Sequence, residues 1–243
     1  MSEPLLIPAG NPGAMTGSGN NTWLLDGAEP TLIDAGVGRA DHVDAIASAL
    51  GGRALVRVLI THGHPDHASG APALRSRWPA VDVRQWPDAL SEADAVRAGD
   101  AMLTVVHTPG HAADHVCFWD ESSRDLYSGD MLVRGSTVMI PAGAGGGLRA
   151  YLASLERIAA LAPARVLPGH GPVIDDPLQL IAQYIEHRRL RHRQVAACLA
   201  KGIDDPDAIV TAVYPELPPA LRRAARATIE AHLEAGVDLF PAD

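Results

Sequence analysis

The feature that most constrains this chain is the hexapeptide at residues 62–67, which contains three histidines and one aspartate. It comes directly after the apolar run at residues 56–60, whose Val, Leu and Ile content is typical of a strand. In an extended segment, residues two positions apart face the same side, so His62 and His64 can present their imidazoles to one metal ion. The sequence therefore predicts a metal site at the end of a strand.

The second half of the hexapeptide approaches this site from another direction. Pro65 biases His64 away from helical dihedral angles and is itself suited to the first turn of a helix. Asp66 and His67 would lie in that first turn, where they can bind a second, adjacent ion. The alternative interpretation is that Asp66 only caps the helix by accepting backbone N–H bonds. Four ligand-type side chains at this spacing favour the metal site.

Three further ligand-type side chains each follow an apolar run and come directly after a glycine. They are His111, Asp130 and His170. Segments that leave strands commonly carry site residues, so we expect these side chains to meet the hexapeptide, although each alone would also suit an ordinary turn. The two cysteines, Cys117 and Cys198, lie far apart and offer no thiolate site, so histidine and carboxylate must hold the metal. This donor set suits zinc best, with manganese and iron as alternatives.

The composition of the 243 residues, 47% hydrophobic and 20% charged, is that of a globular protein and excludes disordered and fibrous classes. No apolar run reaches the length of a membrane span, and the first residues lack the basic segment of a secretory signal. We therefore expect a cytoplasmic protein with no membrane partner. The net charge of −9 argues against indiscriminate nucleic-acid binding, although a local basic patch remains compatible with it.

Short apolar runs alternate with segments of helical period up to about residue 175, which predicts a layered α/β domain at 1–175. The remaining part, 176–243, has helical patterns and almost no strand signal, so we expect a separate helical domain there. The predicted strands are 20–25, 30–34, 55–60, 81–85, 102–106, 116–119, 125–127 and 165–167, and the predicted helices are 39–50, 68–78, 148–161, 178–199, 206–213 and 219–235.

The pattern His-x-His-x-Asp-His, together with the later single ligands, resembles the metallo-β-lactamase superfamily of binuclear metallohydrolases. The resemblance implies a four-layer αβ/βα sandwich in which two zinc ions lie at one edge between two sheets. It assigns the ligands in three groups: His62, His64 and His111 on one ion, Asp66, His67 and His170 on the other, and Asp130 bridging both.

The resemblance also implies a chemistry. A hydroxide held between the ions attacks a carbonyl or phosphoryl group, and Asp66 orients this hydroxide as the catalytic residue while it also binds its metal. Asp34 matches the acidic residue that supports the ligands of this family, with a turn-capping role as the alternative. No Gly-x-Ser-x-Gly segment is present, so a serine hydrolase is not expected.

Within the superfamily the chain is most similar to β-lactamase-like protein 2 and its bacterial relatives, over nearly its whole length. This likeness implies a small winged-helix-like domain in 176–243 and, from the eukaryotic member, an endonuclease acting on single-stranded RNA. The alternatives are a glyoxalase II-like thioester hydrolase of a small acidic substrate, with a small ester as a related substrate, and a non-enzymatic scaffold with a vestigial metal site. A further expected partner is a second copy of the chain, in a homodimer. The segments that carry the likeness are 107–115, 127–130, 151–155 and 167–174.

Several other residues could contact a substrate. Arginines from Arg188 to Arg193 lie on one predicted helix, where they either grip a phosphate or carboxylate or form a solvated face. A second predicted helix carries Arg222, Arg223 and Arg226, for which the same two roles are open: contact with a substrate anion, or a solvated face.

Residues beside the candidate ligands have more modest expected roles. His107 and His115 flank His111 and are interpreted as core or supporting groups rather than ligands. Ser136 and Thr137 either hydrogen-bond the substrate or are ordinary loop hydroxyls. The glycine-rich segment 142–147 lacks the residues of a phosphate-binding loop, so it is expected to be a lid or a connector.

Overall fold

The computed structural model describes residues 3–143, 146–236 and 238–240. Its strands are β1 (Leu5–Pro8), β2 (Asn21–Leu25), β3 (Thr31–Ile33), β4 (Arg57–Leu59), β5 (Asp82–Arg84), β6 (Ala95–Ala98), β7 (Ala101–His107), β8 (Val116–Asp120), β9 (Asp125–Gly129) and β10 (Arg165–Pro168). Its α-helices are α1 (Ala40–Leu50), α2 (Pro65–Ala68), α3 (Ala71–Arg77), α4 (Leu148–Leu161), α5 (Pro177–Leu199), α6 (Pro206–Val213) and α7 (Arg222–Glu234), and a 3-10 turn at Pro219–Leu221 precedes α7.

The strands form two sheets, ordered β1-β2-β3-β4-β5 and β10-β9-β8-β7-β6. In the first sheet β1, β2 and β3 are antiparallel, and β3, β4 and β5 are parallel. In the second sheet β6 to β9 are antiparallel, and β10 is parallel to β9. Parallel neighbours need a crossover connection, and α1, the α2–α3 pair and α4 supply these crossovers. The crossover helices therefore cover the outer faces of the sheets.

The main core lies between the two sheets. Trp23 and Ile33 from the first sheet pack against Leu103 and Phe118 from the second, and all four side chains are buried. On the outer face of the first sheet, α1 and α3 pack in a second cluster, and α4 packs on the outer face of the second sheet. The order of layers is helix, sheet, sheet, helix, which confirms the predicted four-layer sandwich.

Helix α5 contributes to two clusters. Its first half packs Leu180 and Tyr184 with α4, whereas its second half packs Val195 against Ile209 of α6 and Ile229 of α7. The helical character of the C-terminal part is as predicted, and the division into 1–175 and 176–243 stays a prediction. No described helix combines the length and the apolar content needed to cross a membrane.

Two strands and one helix break were not predicted. Strand β1 leaves Leu5 and Leu6 exposed at a sheet edge, and β6 has only one large apolar residue, so neither shows an alternating pattern. The predicted helix 68–78 is divided, because α2 ends at Ala68 and α3 begins at Ala71. Between them, a methyl group on Gly70 would lie 2.1 Å from the carbonyl oxygen of Ala35, so only glycine allows this close backbone approach.

Candidate metal centre

All seven candidate ligands lie together at one edge of the sandwich, in segments that follow strand ends. The hexapeptide follows β4, whereas the single residues follow β7, β9 and β10. The carboxyl ends of β3 and β4 point one way because these strands are parallel, and the same holds for β9 and β10 in the other sheet. The 3.4 Å contact between His67, which follows β4, and Asp130, which follows β9, shows that the two sets of strand ends meet. The seven residues are His62, His64, Asp66, His67, His111, Asp130 and His170.

Three imidazoles form the first group. Nδ1 of His64 lies 2.9 Å from Nε2 of His62 and 2.9 Å from Nε2 of His111. The extended backbone of His64, with φ −62° and ψ 144°, turns its ring toward His62 just before α2 begins at Pro65. Three nitrogen donors directed at one point are the usual protein ligands of a zinc ion with an open position.

The second group contains a carboxylate and two imidazoles. Oδ2 of Asp66 lies 3.7 Å from Nε2 of His67 and 3.4 Å from Nε2 of His170. Asp66 and His67 lie in the first turn of α2, whereas His170 comes from the loop after β10. The three ligand atoms are close enough to hold a single ion.

Asp130 lies between the two groups. Its Oδ1 is 3.4 Å from Nε2 of both His67 and His170, and its Oδ2 is 3.5 Å from Nε2 of His111. The Oδ1 atom is buried and is in ion-pair contact with these two imidazoles, without a hydrogen bond of normal geometry. A buried carboxylate oxygen without a hydrogen bond is stabilised by a bound cation, so the donor set fits two divalent ions, with Asp130 placed between the two groups that would hold them.

A supporting layer fixes the orientation of His67. Asp34 follows β3 in a left-handed conformation, φ 62°, and its Oδ2 lies 2.7 Å from Nδ1 of His67. Its Oδ1 accepts the backbone N–H of Thr61 at 2.8 Å, which holds the carboxylate in place. Nδ1 of His67 thus donates its proton to Asp34, and Nε2 is left free to bind a metal. The supporting role predicted for Asp34 agrees with this contact.

Other supporting contacts could not be identified from the sequence. Nδ1 of His111 donates to the carbonyl oxygen of Met139 at 2.8 Å. Nδ1 of His170 lies 3.3 Å from the carbonyl oxygen of Gly19. The backbone N–H of Asp130 points at Nε2 of His115, 3.2 Å away. Backbone carbonyls carry no sequence signature, so only the folded chain reveals these partners.

The backbone approaches the ligands closely at one glycine. A methyl group on Gly169 would lie 2.7 Å from Cε1 of His67 and 2.9 Å from Oδ1 of Asp130. A side chain there would displace the two ligands that lie nearest the centre of the site. The glycine before His170 therefore has a steric role in the site.

The charges of the site compensate one another. Burial would raise the pKa of Asp130, but His67 and His170 outweigh it and hold this pKa well below its usual range. Burial would lower the pKa of His170, but Asp130 and Asp66 raise it to about 10. Burial lowers the pKa of His62 well below its ordinary value, which keeps the ring in the neutral form that a ligand needs. A bound cation would replace the proton that this raised pKa places on His170.

A cavity of about 470 Å³ opens onto this cluster. Its walls come from residues 14–18, from residues 133–139 after β9, and from the C-terminal helices. The side chains that the C-terminal region contributes are mostly apolar: Tyr214, Leu217, Leu221, Ala224, Ala225 and Thr228, with Arg188 from α5. The C-terminal helices therefore form part of the wall of the candidate site.

The arginine run does not form a single surface. Arg188 is buried and lines the cavity, whereas Arg193 is exposed and pairs with Glu186. On α7, Arg226 pairs with Asp207 and Glu230.

The remaining candidates lie in different surroundings. His107 is half-buried and stacks on Trp86, with ring centroids 4.2 Å apart, so it does not reach the cluster. Cys117 is buried in β8. Ser136 and Thr137 both line the cavity. The predicted lid or connector 142–147 includes residues 144 and 145, which lie outside the described part of the chain.

The sequence matches two family models. The model described as the metallo-beta-lactamase superfamily matches residues 15–103 and 82–170, and the beta-lactamase associated winged helix domain matches residues 206–235. The second match lies on α6 and α7 and confirms the predicted type of C-terminal domain.

Individual proteins agree with these matches. The chain is 33% identical to a "Beta-lactamase-like protein 2 homolog" of Caenorhabditis elegans over 88% of this chain and 77% of that protein. It is also 33% identical to an "Atrochrysone carboxyl ACP thioesterase" of Aspergillus fumigatus, over 79% of this chain and 64% of that protein.

Solved structures show the same fold. A beta-lactamase domain protein from Burkholderia ambifaria superimposes with a TM-score of 0.81 at 25% identity, covering 95% of this chain and 84% of that one. A second protein, crystallised in a di-iron-bound form, superimposes with a TM-score of 0.60 at 26% identity, covering 75% and 98%. The layers, the matched models and these relatives together show that the chain belongs to the metallo-β-lactamase superfamily of hydrolases and carries a β-lactamase-associated winged helix domain.

Proposed function

We propose that this protein is a binuclear zinc-dependent hydrolase of a small, largely apolar thioester or ester. The observation that carries the proposal is the apolar cavity of about 470 Å³ that opens directly onto the candidate ligands. A cavity of this size and lining suits a small acyl group. The similarity to a relative named as a thioesterase supports the same class.

The candidate ligands would bind two metal ions in two groups. His62, His64 and His111 would hold one ion, and Asp66, His67 and His170 the other, with Asp130 between them. When bound, two divalent ions supply an acidified water and polarise the carbonyl of the substrate. The nitrogen and carboxylate donors favour zinc, with manganese and iron as alternatives.

Asp66 is the proposed catalytic residue. It lies in the cavity wall, and its side chain is 26% exposed, so its carboxylate can accept a hydrogen bond from the attacking water. His170 and His67 lower the pKa of Asp66 to about 2 against the effect of burial, so this carboxylate remains an acceptor at neutral pH. An acceptor that is also fixed by α2 orients the water toward the substrate carbonyl.

The leaving group distinguishes a thioester from other substrates. Outside the ligand set, the titratable side chains among the described lining residues are Arg134, Arg188 and Tyr214. Burial raises the pKa of Tyr214. A thiolate leaves without a proton donor because a thiol is a comparatively strong acid, whereas an alkoxide or amide needs one. The lining therefore fits a thioester best.

Single-stranded RNA, which the resemblance to β-lactamase-like protein 2 implies, is the second candidate substrate. Binding of RNA without sequence preference requires a cationic groove with stacking aromatic side chains. Tyr214 is the one aromatic residue among the described lining residues, and Arg134 is paired with Asp176. The lining thus supports the small thioester over the polymer.

Turnover on three substrates tests the proposal. S-lactoylglutathione, octanoyl-N-acetylcysteamine and a fluorescent single-stranded RNA oligomer would each be incubated with zinc-loaded and with chelated protein. We expect zinc-dependent hydrolysis of a thioester, a loss of more than about a hundredfold in Asp130→Asn, and no change in the exposed control Asp41→Asn. Cleavage of RNA without thioester hydrolysis would replace the proposal, and inactivity on all three would favour a scaffold.

A further inference from the structure

Arg188 of α5 is a charged side chain in the interior of the protein. The residue is 1% exposed, yet it forms part of the cavity wall beside the candidate metal centre. Arg188 is the one charged residue among the largest fully buried side chains of the described residues. Burial of a guanidinium group is costly unless an anion or several acceptors compensate its charge.

The hydrogen bonds of Arg188 satisfy only part of its guanidinium group. Nη2 donates to the carbonyl oxygen of Val138 at 2.6 Å and to Oγ1 of Thr137 at 3.0 Å. The guanidinium carbon also lies 5.5 Å from the ring centroid of Tyr151. Nε is buried and has no hydrogen-bond partner.

No carboxylate among the described residues lies within ion-pair distance of Arg188. Neighbouring arginines differ in this respect, because Arg134 pairs with Asp176 and Arg193 pairs with Glu186. Neutral acceptors fix the position of the Arg188 group, but they do not neutralise its charge. Arg188 is thus a positioned cation at the wall of an apolar cavity, without a carboxylate partner in the part of the chain that the structure describes.

We propose that Arg188 binds a carboxylate of the substrate, so that the protein selects thioesters or esters whose acyl group carries a second, free acid. This inference rests on the proposed hydrolysis of a small acyl compound. A single guanidinium in an apolar wall matches one small anion, and a charge-assisted bond to it is stronger in these surroundings than in water. A polyanion would need further free cations along the cavity, and the described lining provides none that is unpaired.

Binding of two acids of equal chain length tests the proposal without turnover. Suberate and octanoate differ by one carboxylate, and calorimetry with zinc-loaded protein would measure the affinity of each. We expect wild-type protein to prefer suberate by about 10- to 100-fold, since a charged hydrogen bond contributes on that scale. Other dicarboxylates, from succinate to sebacate, would identify the chain length that best spans Arg188 and the metal centre.

Variants assign this preference to Arg188. Arg188→Gln should remove the preference while octanoate binds as before, and Arg193→Gln, on the exposed part of the same helix, should keep it. If Arg188→Gln does not fold, Arg188→Lys would be tested instead. It should reduce the preference for suberate over octanoate several-fold, because an ammonium group cannot reproduce the hydrogen-bond geometry of a guanidinium. Absence of any preference in the wild type, or its persistence in the variant that folds, would overturn the inference.

The outcome is separable from that of the proposed function. If no thioester is hydrolysed but suberate binding depends on Arg188, the anion site stands and the reaction must be reassigned. If thioesters are hydrolysed and the acid preference is absent, the reaction stands and the role of Arg188 is wrong.

Discussion

Replacement of Asp34 by Asn tests whether a residue outside the ligand set controls metal binding. Asp34 uses both carboxylate oxygens, because Oδ1 accepts from the Thr61 backbone N–H at 2.8 Å and Oδ2 accepts from Nδ1 of His67 at 2.7 Å. Asparagine has a single acceptor oxygen. It also tolerates the left-handed conformation of this position, φ 62°, better than most residues, so the backbone should be retained.

The expected loss follows from this geometry. If the amide oxygen stays on Thr61, the amide NH₂ faces Nδ1 of His67 and forces the proton of that ring onto Nε2, the atom that faces Asp130. A lost charged hydrogen bond costs about 1.5 to 3 kcal/mol, and a lost supporting contact lowers metal affinity about 10- to 100-fold. The free-energy cost and the loss of affinity agree, since a tenfold change in affinity corresponds to about 1.4 kcal/mol. The ion on Asp66, His67 and His170 should therefore bind about 10- to 100-fold more weakly.

Competition with a chromophoric chelator would measure both zinc affinities, and circular dichroism would verify the fold. The ion on the three-histidine group should be less affected, because Asp34 is linked to that group through the Thr61 hydroxyl, which lies 3.0 Å from Asp34 and 3.1 Å from Nδ1 of His62. Asp41→Asn is the matched control, since Asp41 is exposed, pairs with Arg39 and accepts the backbone N–H of the adjacent His42. Unchanged affinity at both positions in a folded Asp34→Asn protein would refute the reasoning.

Three further outcomes are expected. His62→Ala should reduce zinc from near two ions per chain to one or fewer and abolish turnover, as measured by elemental analysis and thioester hydrolysis. Burial and the charge of Arg188 lower the pKa of His232 to about 3, so acid protonates this ring in the unfolded chain first. The free energy of unfolding should then fall by ~1.4 kcal/mol per pH unit between roughly pH 6 and pH 3 through this group, and denaturant titrations should show a shallower fall in His232→Gln. Ile229→Ala should lower the unfolding free energy by about 2 to 5 kcal/mol, because Ile229 is fully buried between α5 and α6; an unchanged denaturation midpoint would contradict this packing.

Elements with strong periodic patterns were predictable. The sequence predicts α4 at 148–161 and α6 at 206–213, and the structure has the same bounds for both helices. These segments have regular apolar spacing and clear breaking residues at both ends. Strands β1 and β6 lack such a pattern because one is an exposed edge and the other is nearly devoid of large apolar residues, so their pairing depends on distant partners.

The sequence alone determined which side chains can bind metal, because imidazole and carboxylate groups after strand ends are recognisable without coordinates. It also determined the layered class, since hydrophobic periodicity is a local property. Only the tertiary structure decided that Oδ1 of Asp130 is buried without a hydrogen bond of normal geometry, that Asp34 holds His67, and that Arg188 lies buried in the cavity wall while Arg193 faces solvent. The physical reason is that burial and charge compensation depend on segments far apart in the chain, which meet only when the sheets and helices pack.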